Sequence, residues 1–319
     1  MASIGKDITE AVRFLNEGEV IGIPTETVYG LAGNALNTEA AAKIFEVKNR
    51  PTFDPLIIHT SGIERFKVYV SEIPDNAYAL AEKFMPGPLT LLLPRKDNIP
   101  DLVTSGLERV AIRIPQHPLT LELLRNLDFP LAAPSANPFG YISPTSAAHV
   151  NNQLGNKIPY ILDGGECTVG IESTIIGFEE NEVIVYRKGG LPIEEIEAVV
   201  GRVRINEHSS SNPLAPGMLK SHYAPKKQLI LLERGQGKIS RDPNKTGFLG
   251  FMDYHEDIPL KNQLVLSAEG NFREAARNLF AYMRQLDATD VEVIYTELLP
   301  EKDLGRAIND RIRRATVKE

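Results

Sequence analysis

Residues 19–24 read EVIGIP, a short Val/Ile-rich run closed by a proline, which is the pattern of a buried strand. Downstream, Ala40, Ala41, Ile44, Phe45 and Val47 recur at helical spacing, and Asn37 stands where it can cap that helix. Pro51 cannot continue a helix, so this one should stop near 48–50. A strand followed by an amphipathic helix is the unit of an α/β fold.

Working outward, the same alternation continues. Further strands are expected at 56–59 (LIIH), 89–94 (LTLLLP), 110–115 (VAIRIP), 131–133, 160–163, 173–178 and 182–187, with a closing helix at 191–200. Several of these runs are joined by short loops, so the sheet should be mixed rather than purely parallel. Residues 206–216, NEHSSSNPLAP, carry three serines and two prolines without apolar periodicity and read as a linker. Beyond it a second α/β unit is expected, with strands at 228–232, 245–251 and 291–295 and an amphipathic helix at 271–286 capped by Asn271. The last helix, about 304–314, carries Arg306, Arg311, Arg313 and Arg314, a basic face that could meet a partner or water, with water the expectation. The expected domains are 1–202, a linker at 203–226, and a smaller Rossmann-like α/β domain at 227–319.

The charge is uneven. Of a net −7 over 319 residues, the stretch through Arg202 has 17 Lys/Arg against 26 Asp/Glu, and the remainder 18 against 16. A first domain at −9 is a poor non-specific binder of nucleic acid, which needs clustered cations. A single cysteine, Cys167, excludes an intrachain disulfide, fits a reducing compartment and reads as structural. No apolar segment follows Met1, and the longest apolar runs, such as 89–93, are far below spanning length. A cytoplasmic protein away from membranes is expected.

The chemistry should sit in three clusters. Between Asp128 and Lys157, 28 residues contain no Asp, Glu, Lys or Arg but much Ser, Pro, Asn and Gly. Such a loop can cradle a ligand through backbone N–H and hydroxyl groups, with Ser135, Asn137 and Ser143 as candidates, or it can be a run of Asx and Ser turns. The segment PTETVYG at 24–30 leaves a strand where α/β folds place ligands. Lys48 and Arg50 stand at a helix end. They can serve the helix dipole, worth about 0.3–1 kcal/mol, or clamp a triphosphate. Arg113 and Arg187 sit in apolar strands, where each either faces solvent or, if buried, must pair or bind an anion. No metal-ligand spacing, P-loop or GxSxG elbow occurs. ATP chemistry here would lie outside the P-loop scheme.

In their order, PTETVYGL (24–31), KIFEVKNRP (43–51), DPLIIH (54–59), MPGPLTLLL (85–93), VAIRIPQHP (110–118), APSANPFGYISPT (133–145), IEST (171–174) and YRKG (186–189) resemble the threonylcarbamoyl-AMP synthase family with its YrdC-like fold. APGMLKSHYAP (215–225) and the unit after it resemble the family's long form, which has an extra C-terminal domain. The resemblance implies a YrdC-like twisted mixed-sheet domain. It implies a nucleotidyltransferase that joins L-threonine, bicarbonate and ATP, with Mg²⁺, into threonylcarbamoyl-adenylate and pyrophosphate. A separate threonylcarbamoyl transferase complex would then modify tRNA, so tRNA is met only indirectly. By the same resemblance Lys48, Arg50, Ser135 and Asn137 form the catalytic set. Arg50, Asp54, Ser135, Ser143, Arg187 and Tyr223 hold ATP, Thr25, His59, Arg113 and Ser173 hold L-threonine, and no protein metal ligand is implied. Asp54, Arg109 and Ala133 depart from the residues common in the family. The linker would act as a lid, so a cut near Ser210 should raise adenylate loss or abolish activity.

Two rival readings use the same fold. An RNA-binding module is opposed by the acidic first domain. A carbamoyl-adenylate-forming enzyme of hydrogenase maturation would sit beside acylphosphatase and zinc-finger-like segments, and one cysteine cannot build a zinc finger.

Overall fold

The structure, a computed structural model, describes residues 1–180, 182–206, 215–216, 218, 221–232, 239 and 241–317. Most of the serine-rich stretch, including Ser210, lies outside the described residues.

Among the described residues, eleven strands form one large sheet. In chain order they are β1 (Ser3–Gly5), β2 (Ile21–Ile23), β3 (Gly30–Asn34), β4 (Ile57–His59), β5 (Leu89–Pro94) and β6 (Arg109–Arg113). Then come β7 (Leu131–Ala132), β8 (Tyr160–Leu162), β9 (Thr174–Glu179), β10 (Glu182–Arg187) and β11 (Arg204–Ile205). Their spatial order is β1-β8-β2-β3-β7-β4-β6-β5-β9-β10-β11. The sheet is mixed, as the short loops predicted: β4 and β6 are parallel, whereas β2–β3, β5–β6 and β9–β10 are antiparallel. It also takes in β11, inside the stretch read as linker.

One sheet face packs Leu31, Ile58, Leu91 and Ile112 against helices Thr38–Lys48 and Asp75–Phe84 through Ala41, Ile44 and Leu80. The other buries Ile21, Ile23, Leu131 and Leu162 under helices Ile8–Asn16 and Pro118–Arg125 through Ala11, Leu15, Leu123 and Leu124. Apolar residues on both faces explain why these strands read as continuous hydrophobic runs.

Among the described residues the second sheet has four parallel strands, β12 (Gln228–Leu231), β13 (Thr246–Gly250), β14 (Gln263–Val265) and β15 (Val293–Thr296), in the order β12-β15-β13-β14. Helix Phe272–Asp287 opens on its predicted cap: the Asn271 side chain accepts from the amides of Arg273 and Glu274. This unit is docked on the first. Val28, Ile142 and Ile171 share one buried cluster with Leu279, Phe280, Met283, Ile308 and Ile312. The approach is close at Gly170, whose φ is +80° and where an added Cβ would lie 2.4 Å from the Arg277 backbone.

The last helix, Gly305–Thr316, departs from the expectation of a solvated basic face. Arg311 is wholly buried and turned toward the first unit, while Arg306 and Arg313 stay near the surface in ion pairs with Glu194 and Glu301. Helical spacing explains the split: a strongly amphipathic helix has an inner face, and Arg311 lies on it beside Ile308, Ile312 and Ala315. Among the described residues, no helix is long and apolar enough to cross a membrane.

Candidate active site

The site begins at a helix end. Asn49 adopts the left-handed conformation (φ 53°), and the amides of Asn49 and Arg50 turn back to the carbonyls of Glu46 and Phe45. This closure stops the helix at Lys48, with Pro51 only reinforcing it, and throws Arg50 off the axis. Lys48 ends up 1% exposed, its amine donating to the backbone carbonyls of Ser135 and Asn137. The charge-free loop is therefore tied to the helix end by a lysine. Asn137 fixes the loop internally, its amide donating to the carbonyls of Pro138 and Tyr141 at 2.8 Å each.

Arg50 is buried, bonds the carbonyls of Asp54 and Pro55, and pairs with the Asp54 carboxylate at 2.8 Å. Two further arginines converge from the sheet. Arg113 pairs with Glu26 at 2.6 Å and donates to Thr27 Oγ1 at 2.9 Å and to the Gly87 carbonyl at 3.2 Å. Arg187 donates to the Ser173 carbonyl and hydroxyl at 3.0 Å each and to the Pro216 carbonyl at 3.2 Å. Both strand arginines are thus buried, which settles the alternative left by the sequence. Thr25 organises its own turn: Oγ1 accepts from the amides of Thr27 and Val28 and donates to the Val28 carbonyl at 2.6 Å.

Between these groups lies a cavity of about 50 Å³, room for a few water molecules. Eight of the twelve anticipated site residues line it: Thr25, Arg50, His59 and Arg113, with Ser135, Ser173, Arg187 and Tyr223. Lys48, Asp54, Asn137 and Ser143 stand one layer behind. Of the departures noted in the sequence, Ala133 lines the cavity, whereas Arg109 lies elsewhere, bonding Glu179 and the Tyr186 ring. Pro216, His222 and Tyr223 close one side.

The electrostatics are those of a dry, cationic pocket. Burial, and then the nearby Arg50 charge, push the Lys48 amine well below its usual value. Burial lowers Arg50 and brings Arg187 down to about 10. His59 is held to about 3 by burial and by Arg113, and His222 is lowered by burial, Arg50 and Lys48, so both imidazoles are neutral. Among the described residues, neither Lys48 nor Arg187 has a carboxylate within ion-pair distance. Two buried cations held only by carbonyls and a hydroxyl are costly unless an anion binds there. Cys167 is buried and its thiol is pushed up by burial, an inert structural position.

The sequence reading assigned no role to Glu26, Thr27, Glu172 or Arg311, and placed His222 only within the expected lid. Glu26 and Glu172 did leave a signal, since each is a lone carboxylate inside a conspicuous motif at a strand end.

A YrdC-like mixed-sheet domain with a docked parallel α/β unit, closed over a cationic cavity, is the architecture these observations define. A family model described as "Telomere recombination" (Sua5, YciO, YrdC) matches residues 13–189, and one described as "Threonylcarbamoyl-AMP synthase, C-terminal domain" matches 191–317. The chain is 42% identical to the threonylcarbamoyl-AMP synthase of Pyrococcus abyssi over 96% of its own length and 93% of the relative's. It is 38% identical to that of Bacillus subtilis over 97% and 92%. A crystal structure of P. abyssi Sua5 complexed with L-threonine superposes with a TM-score of 0.90 at 41% identity, covering 99% of this chain and 97% of that one. The chain belongs to the threonylcarbamoyl-AMP synthase family, in its long two-domain form. It is an enzyme of the adenylate-forming, nucleotidyltransferase kind, in a family that serves tRNA modification.

Proposed function

We propose that this chain joins L-threonine, bicarbonate and ATP into threonylcarbamoyl-AMP and pyrophosphate in the cavity bounded by Arg50, Arg113 and Arg187. The observation that carries this reading is the set of three buried arginines lining that cavity, of which Arg187 has no carboxylate within ion-pair distance among the described residues. The threonine amine attacks the carbon of CO₂, giving a carbamate with loss of a proton, or that of bicarbonate, whose C–O bond then breaks so that water leaves. A carbamate oxygen attacks the α-phosphorus and pyrophosphate leaves. Nucleophile and electrophile are both anionic, so the site must supply cations and donors more than a base.

Arg113, with Glu26 and Thr27 fixing its fork, meets the threonine carboxylate, and Glu26 offers a counter-charge on that side. Thr25, neutral His59 and Ser173 orient the amino acid. Lys48, Arg50 and Arg187 offset the phosphate charge, with Asp54 holding Arg50 in place. Ser135 and Tyr223 fix ATP, and Asn137 and Ser143 shape the walls. Holding both substrates in line contributes much of the rate. Mg²⁺ suits phosphate oxygens and would arrive on ATP. Glu172, the carboxylate lining the cavity, is already engaged by protein groups, and among the described residues no cluster of acidic, His or Cys side chains would hold a metal. Pro216, His222 and Tyr223, which close one side of the cavity, act as a lid that excludes water from the adenylate. The reaction belongs in the cytoplasm, upstream of a transferase complex that carries the threonylcarbamoyl group to tRNA.

The reading is tested with labelled bicarbonate. Label should enter a nucleotide product only when ATP and L-threonine are both present. Label in that product without L-threonine would contradict the reading.

A further inference from the structure

The cavity is lined by a carboxylate, Glu172, which is 7% exposed. A buried negative charge beside a triphosphate site should repel its ligand. Here both its oxygens are engaged: Oε1 accepts from the Ser143 hydroxyl at 2.6 Å, and Oε2 pairs with Arg311 Nε at 3.0 Å. Arg311 comes from the last helix of the second unit, wholly buried, and also donates to the Lys188 carbonyl beside Arg187. Its guanidinium lies 5.5 Å from the centre of the Tyr223 ring, which itself packs against Phe280. One side chain of the C-terminal unit therefore touches a carboxylate in the cavity wall, a ring of the lid, and the strand end carrying Arg187.

Resting on the nucleotide site proposed above, we infer that Arg311 is a positioning residue for ATP. It cancels the charge of Glu172 and holds that carboxylate where it orients Ser143, so that Arg187, which lines the same cavity, is left to meet phosphate instead of Glu172. The C-terminal unit thus completes the electrostatics of a site built by the first. Its packed apolar contacts through Phe280, Ile308 and Ile312 deliver the guanidinium.

The relationship is separable from mere structural support because the second partner is known. ATP affinity by titration calorimetry, and KM and kcat by pyrophosphate release, are measured for the full chain and for Arg311→Gln, Glu172→Gln and the double variant. Arg311→Gln should weaken ATP binding by about tenfold or more, with KM for L-threonine changing much less. Glu172→Gln alone should bind ATP more tightly than the parent. The double variant should recover most of the loss. Equal weakening in Arg311→Gln and the double variant would overturn the proposal, as would weak ATP binding in Glu172→Gln, which would make Glu172 itself a ligand. If Arg311→Gln does not fold, the Glu172→Gln result decides alone. A parent chain that binds ATP but releases no pyrophosphate with L-threonine would sink the proposed reaction and leave the role of Arg311 standing.

Discussion

His59 and Arg113 occupy one register position on two neighbouring parallel strands, β4 and β6, and both line the cavity. Their adjacency follows from pairing alone, since side chains at matched register point to the same sheet face. It places a neutral ring beside a cation already forked onto Glu26 and Thr27.

Arg113→Lys keeps the charge and loses the fork. KM for L-threonine should rise by about tenfold to a hundredfold, the worth of hydrogen bonds to a charged group, while KM for ATP changes little. Steady-state pyrophosphate release with each substrate varied in turn checks this. A change confined to ATP would move Arg113 to the phosphate side.

Arg50 and Asp54 form a buried pair four residues apart. Arg50→Ala removes a phosphate donor and a counter-ion of a carboxylate that is 0% exposed. Breaking a buried pair costs about 3–5 kcal/mol, so denaturant titration should show lost stability along with lost turnover. Full pyrophosphate release in this variant would remove Arg50 from the phosphate clamp.

The histidines set an acid limit. His59 and His222 are buried with folded values below the ordinary 6.5. On acidification the unfolded chain takes up these protons first, so stability is full above about pH 6.5 and falls below it. For His59 the loss continues down to about 3, at about 1.4 kcal/mol per pH unit. Denaturant midpoints at about pH 7.5 and about pH 5.5 should differ accordingly; equal midpoints would mean that neither ring is held neutral.

Eight of the eleven strands of the large sheet and the cap at Asn271 were legible because apolar runs and capping chemistry are local; β1, β3 and β11 were not anticipated. Helices Ile8–Asn16 and Ala147–Leu154 were not anticipated, although Asp7 and Ser146 cap them; they are short, and their apolar faces are defined only by the sheet beneath. Much of the cavity lining was anticipated from motif resemblance. Arg311 was not, since a cation in a basic helix looks solvated until its partner, 139 residues away in sequence, is placed beside it.

The lid reading predicts a leak. His222 packs edge-on against Tyr223 at 4.2 Å and Phe139 at 5.8 Å. His222→Ala should loosen that side and raise the AMP formed per pyrophosphate, because water then reaches the adenylate. Chromatography of the nucleotide products measures the ratio; an unchanged ratio would mean that this segment does not retain the intermediate.

The most direct measurement is pyrophosphate release from ATP and bicarbonate with L-threonine, L-serine, L-valine or no amino acid. Strong, bicarbonate-dependent stimulation by L-threonine above the others is the predicted result. Release that is indifferent to L-threonine, or equal with L-valine, would contradict the account.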